Sequence, residues 1–95
     1  GGAFESRMPK ITIYTSVCCP YCVRAIALLN AKGAKIYEID VTLRPGLRAE
    51  MRDRAGGCNT VPQIFIGERH VGGCDELHEL EDSGGLDSLL AGENV

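Results

Sequence analysis

Three cysteines within five positions form the stretch of the sequence with the clearest chemical potential. The segment TSVCCPYCVRA, residues 15–25, contains Cys18, Cys19 and Cys22. If Pro20 occupies the first turn of a helix, where its missing N–H is not needed, Cys19 is the N-cap residue. Its sulfur then faces unpaired backbone N–H groups and the positive end of the helix dipole, which favour the nucleophilic thiolate over the thiol. Because Cys22 follows one turn later, the pair predicts a transferable disulfide with one exposed and one sheltered sulfur.

A Cys-x-x-Cys pair is also half of a zinc site, so metal binding is the alternative chemistry. A structural zinc site needs a second such pair or closely spaced histidines. Cys58 and Cys74 are far apart in the sequence, and His70 and His78 are not at ligand spacing from them. The sequence therefore favours redox chemistry, and no metal ligand is predicted.

A second candidate segment, Thr60-Val61-Pro62, comes just before the apolar run of residues 64–66. A trans proline would disturb sheet pairing at this place. A cis Val61–Pro62 bond would instead turn the Val61 backbone outward, toward an extended peptide or a thiol-bearing substrate. Proline statistics alone favour a trans bond, but the Cys-Pro-Tyr-Cys motif after a first strand favours cis.

The elements that must position these residues alternate along the chain. The alternation in KITIYT predicts a first strand, and the apolar face of Cys22, Ile26 and Leu29 predicts a helix that ends at Gly33. The following segments predict, in order, a strand (AKIYEIDV), a short polar helix with Leu47 and Met51 buried (LRAEMRDRA), a central strand (residues 64–66), its short partner (RHV), a helix (CDELHELED) and a last short helix with Leu86, Leu89 and Leu90.

The resulting order, β-α-β-α-β-β-α-α, indicates an α/β fold. A strand, a crossover helix and a second strand imply a right-handed parallel pair. The last two strands can form a hairpin, which gives a mixed four-stranded sheet flanked by helices. Residues 1–7 show no strand or helix period and are predicted to be an expression remnant or a disordered tail. Residues 8–95 are predicted to form a single domain.

Composition and charge argue against several classes of function. The 95 residues carry a net charge of −3, divided into +4 over residues 1–54 (nine basic, five acidic) and −7 over residues 55–95 (one basic, eight acidic). There is no compact basic stripe for nucleic acid and no run of about eighteen apolar residues for a membrane span. Five cysteines, clustered and odd in number, fit a secreted disulfide scaffold poorly. We therefore expect a cytoplasmic protein that binds neither nucleic acid nor membrane.

Three motifs, taken together, resemble the small dithiol glutaredoxins of bacteria. They are CPYC at 19–22, TVPQIFIG at 60–67 and GGCDEL at 72–77, and the resemblance runs from about Lys10 to Leu90. It implies a thioredoxin fold and a glutathione-dependent thiol–disulfide oxidoreductase. Such an enzyme reduces protein disulfides and removes glutathione from mixed disulfides. The resemblance implies no tightly bound cofactor, because glutathione is the reducing co-substrate.

The resemblance also implies a role for each matching residue. Cys19 would be the nucleophile that attacks a disulfide or a glutathionylated thiol, and Cys22 would resolve the mixed disulfide in a dithiol route. The residues implied to bind glutathione are Tyr21, which lines the groove, then Thr60, Val61 and Pro62, which hold the tripeptide backbone, and Gly73, Cys74 and Asp75, which receive the γ-glutamyl end.

Two of these positions have a second interpretation. A helix that starts at Cys74 or Asp75 would offer free N–H groups to a carboxylate. Asp75 is then either a partner for the ligand's ammonium group or a plain N-cap, and both can hold together. Cys74 is interpreted as packing or groove wall, with a redox role as the alternative. Cys58 is interpreted as a surface-loop thiol, with oxidative dimerisation left open, and Cys18 as a passive thiol, with a regulatory thiol or a metal ligand left open.

The implied partners are glutathione and disulfide-containing or glutathionylated proteins, with ribonucleotide reductase as a family-level candidate. The chain is expected to be a monomer. The alternative function is a [2Fe–2S] carrier, in which two subunits each contribute Cys19 and two glutathiones complete the thiolate set. Pro20 counts against it, because cluster-carrying relatives usually lack a proline between the cysteines. A thioredoxin-type reductant is a third function, and the absence of tryptophan counts against it.

Overall fold

A mixed four-stranded sheet forms the centre of the structure, a computed structural model that describes residues 9–91. Its elements, in chain order, are β1 (Ile11–Thr15), α1 (Pro20–Ala31), β2 (Ile36–Asp40), α2 (Pro45–Arg54), β3 (Gln63–Ile66), β4 (Arg69–Gly72), α3 (Cys74–Asp82) and α4 (Gly85–Leu90). The strand order is β2-β1-β3-β4, with β1 parallel to β2 and antiparallel to β3, and β3 antiparallel to β4. The predicted element order, parallel pair and hairpin are confirmed. The predicted tail of residues 1–7 lies outside the described residues.

The two faces of the sheet bury different helices, because successive side chains of a strand point to opposite faces. Ile11 and Ile13 of β1 pack in the larger core cluster with residues of α1, α3 and α4. Tyr14 of β1 and Phe65 of β3 pack on the other face with Met51 of α2. The central strands β1 and β3 are therefore covered on both sides, as the continuous apolar run at residues 64–66 predicts.

Several element details differ from the sequence-based expectation. The second helix begins at Pro45 rather than Leu47, since proline suits the first helical position as it does at Pro20. Of its two residues predicted to be buried, Met51 is fully buried and Leu47 is only half-buried. On α1 the fully buried position between Cys22 and Leu29 is Ala25, whereas Ile26 is only half-buried. The second strand is shorter than expected, since β2 covers Ile36–Asp40 where a strand over residues 34–41 was predicted.

One basic residue joins three helices on the larger core face. Lys32, at the C-cap of α1, places its Nζ 2.8 Å from Glu81 Oε2 of α3 and 2.9 Å from Asp87 Oδ1 of α4. These two acceptors raise the pKa of Lys32. The acidic C-terminal region thus neutralises part of its charge against the more basic N-terminal half.

None of the helices within residues 9–91 has the length and apolar character that a membrane crossing requires.

Candidate active site

Cys19 is the N-cap residue of α1, as its position before Pro20 predicts. Its backbone is extended (φ −110°, ψ 102°), and its Sγ accepts a hydrogen bond from the backbone N–H of Cys22 at 3.3 Å. Pro20 occupies the first turn of the helix, where no N–H donor is needed. A sulfur at this place receives a helix N–H group and lies at the positive end of the helix dipole, and both stabilise negative charge on it.

Cys22 lies one turn further along α1 and is sheltered from solvent. Only 3% of it is exposed, whereas Cys19 is half-buried. Burial raises the pKa of the Cys22 thiol to about 12, helped by its hydrogen bond with Cys19 and opposed by one from the Ser16 backbone. One sulfur is thus presented to solvent at a helix terminus, and the other is held as a protonated thiol behind it.

The Thr60-Val61-Pro62 segment comes next to Cys19 in the folded chain. The Val61–Pro62 peptide bond is cis, as predicted. The carbonyl oxygen of Val61 lies 3.9 Å from Cys19 Sγ. The residues that sequence reasoning placed in a substrate groove and the proposed nucleophile are therefore neighbours, although 42 positions separate them in the chain.

A cleft of about 290 Å³ opens beside this segment. Its lining contains every residue that the resemblance implied for glutathione, and one more, Glu76: the full set is Tyr21, Thr60, Val61, Pro62, Gly73, Cys74, Asp75 and Glu76. The structure thus brings three separate segments, from α1, the loop before β3 and the start of α3, to one concave surface.

The start of α3 is shaped by two glycines and the missed residue Glu76. Gly73 is the N-cap, and its backbone N–H donates to Glu76 Oε1 at 2.7 Å. Gly72 has φ +115°, and a Cβ atom there would lie 3.0 Å from Glu76 Cγ and Oε1. A glutamate three positions after an N-cap commonly reaches back in this way, so the spacing Gly73 to Glu76 was the signal available in the sequence.

Asp75 is not the N-cap, so that interpretation of it was wrong. The helix begins at Cys74 with Gly73 as its cap, because Glu76 already supplies the capping acceptor. Asp75 is exposed in the first turn and lines the cleft. Its carboxylate is therefore free of the capping role and stands beside the N-terminus of α3.

The three other cysteines take different places. Cys74 is 4% exposed, packs in the larger core cluster and also lines the cleft, which confirms its interpretation as packing and groove wall. Burial raises the pKa of its thiol. Cys58 is exposed in the loop after α2, which confirms a surface-loop thiol. Cys18 is exposed just before α1 and has φ +56°.

A second cleft, of about 410 Å³, lies on the other side of Cys19 and was not predicted. Its walls include Cys18, Cys22, Val23 and Glu38. The Glu38 carboxylate accepts a hydrogen bond from the hydroxyl of Thr15 at 2.9 Å. Sequence patterns could not locate this cleft, because it forms between β2 and α1 only when the parallel pair assembles.

Metal-binding side chains are not gathered anywhere in the described part of the chain. Within residues 9–91, no group of three or more His, Cys, Asp and Glu side chains is arranged to hold a metal ion.

Comparison with known proteins points to one family. A family model described as Glutaredoxin matches residues 11–71. The chain is 56% identical over 84 residues to a glutaredoxin of Pseudomonas aeruginosa, which is 88% of this chain and 99% of that protein. The solution structure of a glutaredoxin from Brucella melitensis matches with a TM-score of 0.81 and 57% identity, covering 94% of this chain and 96% of that one. The crystal structure of a buckwheat glutaredoxin–glutathione complex matches with a TM-score of 0.79 and 28% identity over 98% and 87% of the two chains.

Proposed function

Because the chain belongs to the glutaredoxin family and is a thiol–disulfide oxidoreductase with the thioredoxin fold, we propose that it takes its electrons from glutathione. Its substrates are disulfides in proteins and mixed disulfides between proteins and glutathione. The observation that carries the proposal is the junction of one thiol and one cleft. Cys19 Sγ lies 3.9 Å from the backbone of Val61, which is itself part of the wall of the cleft.

In the monothiol route, Cys19 alone carries the chemistry. Its thiolate attacks the glutathione sulfur of a glutathionylated protein, the protein–sulfur bond breaks, and the protein leaves as a thiolate that takes a proton from solvent. A second glutathione thiolate then attacks the glutathione sulfur on Cys19. Oxidised glutathione forms and the Cys19 thiolate is regenerated. The hydrogen bond from the backbone N–H of Cys22 to Cys19 Sγ stabilises this thiolate as the leaving group.

In the dithiol route, Cys22 completes the reaction. The Cys19 thiolate attacks a protein disulfide and forms a mixed disulfide with one protein sulfur, while the other leaves as a thiolate that takes a proton from solvent. Cys22 loses its proton to solvent and attacks the Cys19 sulfur, which releases the second protein thiol and leaves a Cys19–Cys22 disulfide. Two glutathiones then reduce that disulfide in two successive exchanges, which restore both cysteine thiols and form one oxidised glutathione. The one-turn spacing from N-cap to Cys22 supports this exchange.

Glutathione recognition is proposed to divide among the three segments of the cleft. Tyr21 forms one side, and the Val61 backbone pairs with the tripeptide. The N-terminus of α3 receives the γ-glutamyl carboxylate, since free helix N–H groups bind anions. Asp75 pairs with the ammonium group, which its exposed position at the cleft supports.

Protein substrates are proposed to dock around the same sulfur. Val17, Tyr21 and Val23 are 61%, 54% and 67% exposed, and Tyr21 and Val23 line the clefts on the two sides of Cys19. Apolar side chains left in water next to a reactive group are suited to contact a partner. We propose that the enzyme acts as a monomer in the cytoplasm, with ribonucleotide reductase among its candidate substrates.

The proposal is tested by turnover with glutathione, glutathione reductase and a small glutathione mixed disulfide. Cys19→Ser should lose all activity. Cys22→Ser should keep removal of glutathione and lose direct reduction of a protein disulfide. Cys58→Ser, at an exposed thiol distant in sequence from the motif, is the matched control and should behave as wild type. Full activity of Cys19→Ser, or no turnover of the wild type with glutathione, would contradict the proposal.

A further inference from the structure

Gln63 is a buried polar residue that the proposed reaction does not use. It is the first residue of β3, directly follows Pro62, and is only 3% exposed. Its side-chain Nε2 donates to the carbonyl oxygen of Thr60 at 3.0 Å and to the Thr60 hydroxyl oxygen at 3.1 Å. The side-chain amide of Gln63 thus bonds back to Thr60 and spans the segment that carries Val61. It lies behind this wall of the cleft.

The partners of Gln63 fix the direction of its amide. A backbone carbonyl only accepts, so the NH₂ group must face Thr60 and the oxygen Oε1 must face the opposite way. Oε1 lies 2.6 Å from Nε2 of His70 on β4. An amide oxygen cannot donate, so His70 Nε2 carries the proton of this hydrogen bond.

His70 is itself held in place by the sheet. It pairs with Phe65 across the β3–β4 hairpin, and the two rings stack with centroids 4.9 Å apart and an interplanar angle of 26°. A donor fixed on β4 therefore orients the Gln63 amide, and the amide holds Thr60. Together these contacts connect the outer strand of the sheet with the wall of the cleft.

We propose that Gln63 and His70 form a positioning pair that sets the Thr60–Val61 backbone for glutathione before it binds. The inference rests on the proposed use of glutathione and adds two residues outside the ligand contacts. A segment held in its bound conformation loses less conformational entropy on binding. Without the positioning pair, Thr60 and Val61 must be ordered by the ligand itself, so recognition of the tripeptide weakens. The Cys19 sulfur keeps its hydrogen bond from the helix N–H group in either case.

The effect should therefore depend on whether the substrate carries glutathione. The test uses one peptide thiol blocked in two ways, with glutathione or with mercaptoethanol, and single-turnover reaction with Cys19. Gln63→Met keeps the side-chain volume and removes three hydrogen bonds. Its rate constant with the glutathionylated peptide should fall about five- to tenfold, the net worth of about one hydrogen bond, because the three lost bonds act on recognition only by ordering Thr60 and Val61. The rate constant with the mercaptoethanol-blocked peptide should change less than about twofold, within one ordinary hydrogen bond.

A second variant protects the test against loss of the fold at a buried position. His70→Phe is at an exposed site, keeps the stack on Phe65 and removes only the donor to Gln63. It should lower the rate constant for the glutathionylated peptide about two- to threefold, since one hydrogen bond is lost. The matched control is Tyr14→Phe on β1 of the same sheet, which loses hydrogen bonds with Glu50 and Arg54 of α2 and none with Thr60. It should leave the ratio of the two rate constants unchanged.

The outcomes separate the two proposals. If wild type does not prefer the glutathionylated peptide, the proposed function fails and this inference fails with it. If wild type shows the preference and neither variant reduces it, the positioning pair alone is refuted. An equal fall with both peptides would also refute it, because that result would show a general structural role for Gln63.

Discussion

Cys22 should be almost inert to alkylation in the folded, reduced protein. Its pKa is raised from 9.0 to about 12, with burial as the largest cause. Each pKa unit lowers the thiolate fraction about tenfold, so below pH 9 the reactive form of Cys22 is about 1,000-fold scarcer than in an unperturbed thiol. The thiolate is the species that reacts, and its intrinsic nucleophilicity rises with its pKa, which offsets part of this factor. Burial also limits access of the reagent, so Cys22 should still react at least about tenfold more slowly than an exposed thiol.

The assay is a time course with iodoacetamide at pH 8, with each cysteine followed by peptide mass spectrometry. Cys58, exposed on the same chain, is the internal reference. Cys19 will be labelled early, which removes its hydrogen bond to Cys22 but leaves the burial that is the main cause of the shift. In concentrated guanidinium chloride, Cys22 and Cys58 should react alike. Labelling of folded Cys22 within about tenfold of Cys58 would show that burial does not keep the Cys22 thiol protonated.

Two further predictions concern stability. The folded state holds the Cys22 proton to about pH 12, whereas the unfolded chain releases it near pH 9. The stabilisation that comes from the protonated Cys22 thiol is therefore complete below about pH 9 and is lost as the pH rises toward 12. Melting temperatures between pH 7 and 11 should therefore fall, and Cys22→Ser should flatten the fall only in part, because burial also raises the pKa of Cys74 and of Tyr14. Gly72→Ala should destabilise the fold by about 1–3 kcal/mol in denaturant unfolding, since alanine is strained at φ +115° and its Cβ meets Glu76; an unchanged midpoint would contradict this.

Local signals in the sequence were sufficient for the framework of the site. Pro20 determines where α1 starts, so the N-cap position of Cys19 and the sheltered position of Cys22 followed from one residue and a helical period. The cis bond before Pro62 could not be predicted from a local signal, because proline statistics alone favour trans. Only the Cys-Pro-Tyr-Cys motif elsewhere in the chain reversed that expectation.

Side-chain contacts between separate elements could not be predicted in the same way. The hydrogen bond between Gln63 and His70 depends on the register of the β3–β4 hairpin, which has an irregularity between Ile64 and Phe65. Glu76 enters the cleft because two glycines let it approach the backbone, and this is a matter of atomic space rather than of pattern. The hydrogen bond between Gly73 and Glu76 also explains why Gly73, rather than Asp75, is the N-cap of α3.

The most direct test of Cys19 as the nucleophile is to locate glutathione on the enzyme itself. Reduced Cys22→Ser protein, which cannot resolve the mixed disulfide, is exposed briefly to a glutathionylated peptide and mapped by mass spectrometry without reductant. We expect one glutathione per chain, bound to Cys19. Glutathione on Cys18, Cys58 or Cys74 in place of Cys19, or none on the chain, would contradict it.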